Sequence, residues 1–427
     1  MKYIIYTLGC KVNQYETQAM ETLLAEHGHR PAESGETADV VIVNSCAVTA
    51  ESGRKSRQAL RRLMGENPGA VSCVCGCWSQ TDTASAEGIA DVVWGSADRR
   101  GFVEAVESAA AERRKINGVD EPFKRREFED LPAGAYEGHA RASLKIEDGC
   151  TNFCTYCIIP YSRGPVRSLP LDRAAEQARE LADAGYKEIV LTGIEVASYG
   201  RDLPGKPGLA DVIERVALAV PEVRIRLGSI EPTVITEEFC RRVSALPSVC
   251  PHFHLSMQSG CDATLKRMNR KYTTAEFYAV CERLRRYFPH CALTTDMITG
   301  FPGETEEEFA SSLEFIRKCA FAAMHVFPYS RRPGTKADKF PGQLTHAVKD
   351  ERAHRAHAVA LEMQHEYLES CVGMVESVLF ETEEDGRCFG HAPNYTEVSV
   401  VGSGLRGVVK NVKIVAAEGE MLVGVVV

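Results

Sequence analysis

Gly149-Cys150-Thr151-Asn152-Phe153-Cys154-Thr155-Tyr156-Cys157-Ile158-Ile159-Pro160, residues 149–160, sets three thiols at CxxxCxxC spacing directly behind an apolar segment, Leu144 to Ile146. Iron–sulfur clusters are ordinarily held by four Cys thiolates, so three leave one iron of a four-iron cluster without a protein ligand, open to bind and activate another molecule. Zinc is the competing metal. Structural zinc sites are closed by four Cys or His ligands, usually as two short pairs, and no CxxC or HxxxH partner follows here at a usual interval.

Upstream of that run, short β-rich stretches alternate with helical ones: Tyr3 to Thr7 then Gln14 to Glu26, Val40 to Val43 then Thr49 to Met64, Val71 to Val74 then a short helix, Val92 and Val93 then a last helix. This alternation predicts a parallel sheet flanked by helices, whose ligands bind beyond the carboxyl ends of the strands. Cys10, Cys46 and Cys77 follow the first three strands, so three more thiols converge on one sheet edge and suggest a second cluster. Cys73 and Cys75 alternate with Cys77 but lie within the strand. Cys77, in the Gly76-Cys77 turn, is the expected ligand.

Downstream, strands are expected near Leu144, Val190, Ile225, Phe253, Thr295 and Val326, with helical patterns between them. Six βα units are too few for a closed eight-stranded barrel, so a partial, open barrel is expected, with Cys150 at the carboxyl end of its first strand. Thr345 to Ser370 reads as a long connecting helix capped by Thr345. Val375 to Phe380, Tyr395 to Val401, Val408 to Val415 and Met421 to Val427 are β runs that fit a small five-stranded barrel of the oligonucleotide-binding kind. The α/β chain thus divides into a parallel-sheet domain (1–115), a polar linker (116–138), a partial (β/α)6 barrel (139–369) and a C-terminal β-barrel (370–427).

The length of 427 residues fits two or three domains. Hydrophobic content of 44% and charged content of 26% are those of a soluble globular protein, and no apolar run is long enough for a membrane span. The start, Met1-Lys2-Tyr3-Ile4-Ile5-Tyr6, reaches Gly9-Cys10 before any signal-length apolar region develops; a strand, no export signal and a cytoplasmic location are expected. Sixteen cysteines in a chain without an export signal argue for metal or catalytic work over a disulfide framework. A net charge of −9 confines any RNA site to local patches. One such patch is Arg54, Lys55, Arg57 and Arg61 on the helix after Cys46, against the alternative of a solvated helix face. The C-terminal barrel has few basic residues, so Tyr395 stacking would have to stand in for charge there.

The Cys150 triad, with Tyr156 before its last thiol, resembles that of the radical S-adenosylmethionine (SAM) enzymes. Both triads and the C-terminal β-domain together resemble the radical SAM methylthiotransferases across essentially the whole chain. The resemblance runs through Gly9-Cys10-Lys11-Val12-Asn13-Gln14-Tyr15-Glu16-Thr17, Asn44-Ser45-Cys46, Gly76-Cys77, Ser229-Ile230-Glu231-Pro232, Gln258-Ser259-Gly260, Thr295 to Thr305 and Phe327-Pro328-Tyr329-Ser330. It implies two 4Fe-4S clusters, on Cys10, Cys46, Cys77 and on Cys150, Cys154, Cys157. It also implies a SAM pocket drawn from Tyr156, Glu195, Ser229, Gln258, Asp296, Phe327 and Tyr329, and a C-terminal TRAM module. Glu195, Met257 and Cys261 depart from the family pattern. One SAM would methylate a sulfur held at the first cluster; a second, cleaved at the other, would supply a radical able to break an aryl C–H bond.

The Lys11 to Thr17 run and Lys55-Ser56-Arg57 resemble the branch acting at C2 of N6-threonylcarbamoyladenosine next to the tRNA anticodon. Other branches act on isopentenyladenosine in tRNA or on a ribosomal protein. Implied partners are tRNA, an electron donor such as flavodoxin or ferredoxin and a sulfur source, with no membrane and a monomer as the simplest state. A zinc-containing RNA-binding scaffold is the non-enzymatic alternative.

Overall fold

The computed structural model describes residues 1–132 and 140–427. The first region is a parallel sheet of β1 (Lys2–Thr7), β2 (Arg30–Pro31), β3 (Val40–Ser45), β4 (Val71–Gly76), β5 (Val92–Trp94) and β6 (Ile116–Gly118), in spatial order β2-β1-β3-β4-β5-β6. Every residue of β3 and β4 is buried. Strands covered on both faces carry unbroken apolar runs, which is why Val40-Val41-Ile42-Val43 shows no alternation. Helices α1 (Lys11–Glu26) and α5 (Arg99–Glu112) pack on one face; α2 (Ala50–Glu66), α3 (Cys77–Thr81) and α4 (Thr83–Glu87) pack on the other.

The chain runs outward from β1 to β2, then returns to the far side of β1 as β3 and continues to β6. Such a reversal sends the helices after β1 and β3 to opposite faces and opens a crevice beyond the strand ends. Cys10 and Cys46 stand on either side of this crevice and Cys77 one strand further on. The turn before Cys77 needs glycine: Gly76 has φ +100°, and a Cβ there would lie 2.4 Å from the Ser45 carbonyl oxygen.

One expectation changes. β6 pairs with β5 from Val92↔Ile116 to Trp94↔Gly118, so the sheet runs past residue 115 into the stretch read as linker. Three residues at a sheet edge carry too little apolar pattern to be read, and the same holds for β2. The expected boundary at residues 138 and 139 lies outside the described residues.

The central region contains all six expected strands: β7 (Arg141–Lys145), then, after the short pair β8 (Glu147–Asp148) and β9 (Arg167–Ser168), β10 (Glu188–Thr192), β11 (Arg224–Leu227), β13 (His252–Gln258), β14 (Ala292–Thr299) and β15 (Ala323–Pro328). They are parallel and follow one another in chain order. β12 (Ser229–Ile230) continues β11 beyond Gly228 and carries the pairing on to β13. The result is an open arc. Its convex face is apolar, with Ile189, Leu191, Ile225, Phe253 and Leu255 in a core shared with α7 (Leu171–Asp183), α8 (Leu209–Ala219), α9 (Glu237–Val243), α11 (Thr274–Tyr287) and α12 (Glu306–Cys319). The alternate residues, Ser143, Lys145, Glu188, Arg226, His254, Ser256, Asp296 and His325, line the concave face.

Capping boxes at Thr273 with Glu276 and at Thr305 with Glu308 start α11 and α12. As the sequence predicts, Thr345 caps α13 (His346–Ser370), which packs on β15 at the end of the arc.

The C-terminal region is a closed barrel of β16 (Val375–Glu384), β17 (Arg387–His391), β18 (Glu397–Val401), β19 (Val409–Glu418) and β20 (Met421–Val426), ordered β16-β17-β18-β20-β19. β17 is the strand that no sequence run showed. The barrel docks on the amino ends of the central strands: Arg224 donates to the carbonyls of His391 (3.3 Å) and Ser377, and Arg141 pairs with Glu381 at 2.6 Å. No helix among the described residues is long and apolar enough to cross a membrane.

Candidate functional site

Side-chain hydrogen bonds hold the three strand-end turns of the first region together. Asn13 Nδ2 donates to the carbonyls of Leu8 (3.1 Å) and Ser45 (3.0 Å), while Asn44 Nδ2 donates to the Asn13 carbonyl (2.9 Å) and Thr17 Oγ1 (3.0 Å). These bonds staple the Cys10 turn to the Cys46 turn. The Ser45 hydroxyl donates to the Cys75 carbonyl and accepts from the Ser79 amide, which fixes the start of α3 and with it Cys77. Burial, then the charges of Cys77 and Cys10, push the Cys46 thiol up to about 11. Cys73 and Cys75 project from within β4 into the core beneath α1 and α5.

The second triad occupies the loop between β8 and α6 (Ile159–Arg163). Burial, then repulsion from Cys154, pushes Cys157 up to about 12; burial also raises Cys150, with Glu195, Cys157 and Cys154 adding to the rise. Nitrogen donors reach sulfurs in both triads: the Val48 amide to Cys46 (3.4 Å), Arg163 Nε to Cys77 (3.3 Å), the Asn152 amide to Cys150 (3.5 Å) and Arg270 Nη1 to Cys154 (3.4 Å). Such donors stabilise the thiolate anion, the form in which cysteine ligates a metal. Among the described residues no three His, Cys, Asp or Glu side chains are grouped closely enough to hold a single metal ion.

The two triads adjoin where α3, which begins at Cys77, packs against α6, which follows Cys157. Cys77 contributes to the raised pKa of Cys157, and Arg163, just past Cys157 in the chain, reaches Cys77. Arg163 is fully buried and sits in an ion-pair network with Glu16 on α1 and Asp148 on β8. Lys145 joins both carboxylates (3.1 and 2.9 Å), Arg99 reaches Glu16 at 3.4 Å, and Arg167 reaches Asp148 at 3.2 Å. Four buried cations against two carboxylates leave positive charge beside the thiols, which fits them for an anionic metal–sulfur group.

A ring of polar side chains surrounds the second triad. Glu195 accepts from Asn152 Nδ2 at 3.2 Å, and Arg270 pairs with Glu231 at 3.1 Å. Burial, then the charge of Glu231, holds the Glu195 carboxyl up at about 7. Tyr156 meets Phe301 edge-on at 6.4 Å. Ser229 and Ser256 share a hydrogen bond of 2.8 Å, and Asp296 accepts from His254 at 3.2 Å; both pairs lie on the concave face. Gln258, with φ +67°, ends β13 beside a register shift. Phe327 is 48% exposed at the end of β15. Tyr329 differs from expectation: it is buried against Phe301 at 5.3 Å, with Lys349 over its ring, in the aromatic floor beneath Tyr156 instead of an open pocket wall.

The residues proposed for RNA divide. Lys55 and Arg61 project freely from α2, whereas Arg54 is paired with Glu51 and Arg57 lies over the Trp78 ring at 5.5 Å. Tyr395 is not an open stacking platform. Its ring stacks on His252 (4.9 Å) and His391 (4.8 Å), and the Arg226 guanidinium stands over it at 4.7 Å, so it joins the C-terminal barrel to the central arc. Where these two regions meet α1, a cavity of about 430 Å³ opens, bordered by Lys11, Gln14, Gln18, Arg141, Ser143, Arg226 and Tyr395.

Residues 144–316 match the Radical SAM superfamily, and residues 2–95 match the uncharacterized protein family UPF0004. Over 421 residues, 96% of this chain and 93% of the relative, the sequence is 41% identical to threonylcarbamoyladenosine tRNA methylthiotransferase MtaB of Bacillus subtilis (strain 168). The chain belongs to the radical SAM tRNA methylthiotransferase family. Within that family it is 36% identical to MtaB of Chlamydia pneumoniae, over 98% of this chain and 97% of the relative. It is 33% identical to tRNA-2-methylthio-N(6)-dimethylallyladenosine synthase of Pelotomaculum thermopropionicum, over 99% and 96%. The fold is also that of the radical SAM methyltransferase TsrM from Kitasatospora setae, with TM-score 0.59 at 14% identity over 91% of this chain and 80% of that one.

Sequence reading missed the charges that organise this methylthiotransferase site. Lys145 stands inside the run taken as apolar, and a lysine between two buried aliphatic residues was the available signal for a buried ion pair. Arg270 stands in a basic run with Lys266, Arg267 and Lys271, yet the structure turns it inward onto Glu231 and Cys154.

Proposed function

We propose that this chain methylthiolates C2 of N6-threonylcarbamoyladenosine next to the anticodon of tRNA. In this reading Cys10, Cys46 and Cys77 hold one 4Fe-4S cluster, and Cys150, Cys154 and Cys157 hold a second that binds SAM. The observation that carries it is the nearness of two thiol triads, Cys77 of one acting on Cys157 of the other where α3 packs against α6, each triad supplied with N–H donors. When bound, a cluster with an open iron would supply the one-electron chemistry that breaking an aryl C–H bond needs and that side-chain acids and bases do not provide.

The chain's own side chains bind, orient and exclude. Arg163 and Arg270 place positive charge against thiolate sulfur. Glu195 and Glu231 offer carboxylate oxygens to the SAM amino group, and the Tyr156–Phe301 pair forms an apolar floor. Lys55 and Arg61, both exposed on α2, which follows the Cys46 turn, would meet tRNA phosphates. The threonylcarbamoyl substrate is favoured by the higher identity to the MtaB relatives than to the dimethylallyl branch and by the Lys11 to Thr17 run. Flavodoxin or ferredoxin as electron donor and a separate sulfur source complete the requirements.

Anaerobically reconstituted protein with Cys10, Cys46 and Cys77 changed to Ala should keep about half the iron of the parent, as two equal clusters require. Unchanged iron removes the first cluster from the reading. Nucleoside analysis of tRNA from a strain lacking the gene tests the substrate: intact levels of 2-methylthio-N6-threonylcarbamoyladenosine would refute it.

A further inference from the structure

We propose that the cavity beside Cys10 seats the N6 substituent of the substrate adenosine and that Lys11 ion-pairs with its carboxylate, an assignment that rests on the substrate proposed above and locates its recognition. Lys11, Gln14 and Gln18 recur at i, i+3 and i+7 and border the cavity from one face of α1. Because Cys10 is the residue just before α1, this row leads from the thiol turn into the cavity. The opposite wall is the concave face of the arc at Ser143, Val190 and Arg226, with Tyr395 at its end.

Three cations border the space, and two are matched. Arg226 is bidentate to Glu188 (2.6 and 2.8 Å), and Arg141 pairs with Glu381 (2.6 Å). Lys11 has no carboxylate within ion-pair distance among the described residues; its ammonium stands 6.0 Å from the centre of the Tyr395 ring. Lys11 and Gln14 are both exposed, and so is Cys10. The wall therefore presents one unmatched accessible ammonium flanked by the Gln14 and Gln18 amides and the Ser143 hydroxyl.

A threonylcarbamoyl group carries one carboxylate, one hydroxyl and a carbamoyl unit, a partner for each of these. A dimethylallyl group offers none of them and would leave the wall unpaired, which is how polar sites reject apolar analogues. Adenine at the thiol turn with its N6 chain directed along α1 satisfies both ends at once.

The test uses the anaerobically reconstituted full-length enzyme and a fluorescent anticodon stem-loop carrying threonylcarbamoyladenosine, either as the free acid or as its methyl ester, with affinity read by anisotropy and turnover by nucleoside analysis. The ester should bind the parent enzyme about tenfold more weakly than the acid, the scale of one charge-assisted contact. Lys11→Met should weaken the acid by a similar factor and leave the ester unchanged, and Lys11→Arg should restore most of the loss. Equal affinity for acid and ester, or equal loss of both on Lys11→Met, overturns the assignment. A parent enzyme that does not prefer the threonylcarbamoyl stem-loop over an unmodified one overturns the substrate itself, whereas a preference that survives Lys11→Met overturns only the placement at Lys11.

Discussion

Glu16 sits completely buried among Arg163, Lys145 and Arg99. Burial alone would raise its carboxyl, but Arg163, then Lys145 and Arg99, overcome this and hold it down at about 2. Replacing one member of a buried network strands the others, so Glu16→Ala should cost about 3–5 kcal/mol in urea unfolding of the metal-free chain. Because the folded value lies below the ordinary 4.5, the contribution is complete above that pH and fades as pH falls toward about 2. An equal stability gap between parent and variant at neutral pH and well below the ordinary carboxylate value would contradict this. Glu195 runs the other way. Its carboxyl is held up at about 7, so it gains charge as pH rises through that value and should then attract the SAM ammonium more strongly. SAM affinity measured across neutral pH should rise in the parent and stay flat in Glu195→Gln; a flat parent profile would remove Glu195 from the pocket.

At the scale of elements, the turn at Gly76 sets the start of α3 and thereby the position of Cys77. Gly76→Ala forces a Cβ against the Ser45 carbonyl at a positive φ, so it should destabilise by more than about 1 kcal/mol and lower iron per chain after reconstitution. Parent-like iron content would show that the turn tolerates rearrangement. The elements legible in sequence were those with long apolar runs or clear caps: β3, β4, the six strands of the arc and α13 behind Thr345. β2, β6 and β17 were not legible. They are short, and what stabilises them is the hydrogen-bond ladder of a neighbouring strand, which leaves no local pattern of its own. Cys10, Cys46 and Cys77 could be located at strand ends from alternation alone, whereas Arg163 and Arg270 could not be linked to the thiols they touch.

At the scale of the molecule, the C-terminal barrel is fastened to the central arc by arginines from the amino ends of its strands and by Tyr395 on His252. Arg141→Ala with Arg224→Ala should loosen this docking without unfolding the barrel, whose own apolar core is closed. Faster proteolysis between α13 and β16, with unchanged barrel strand content, is the expected result, and unchanged proteolysis would place the docking energy elsewhere. By itself the sequence determined the order of regions, the parallel strands with thiols at their ends and the radical SAM triad, because these follow from local periodicity and ligand spacing. Only the tertiary structure decided that Cys77 of one triad lies near Cys157 of the other with Arg163 on Cys77, that Tyr395 is engaged within the fold and that an unmatched Lys11 borders a cavity. Those facts depend on which distant charges and rings meet, and residues such as Glu16 and Arg163 carry no local signal of a partner 147 positions away.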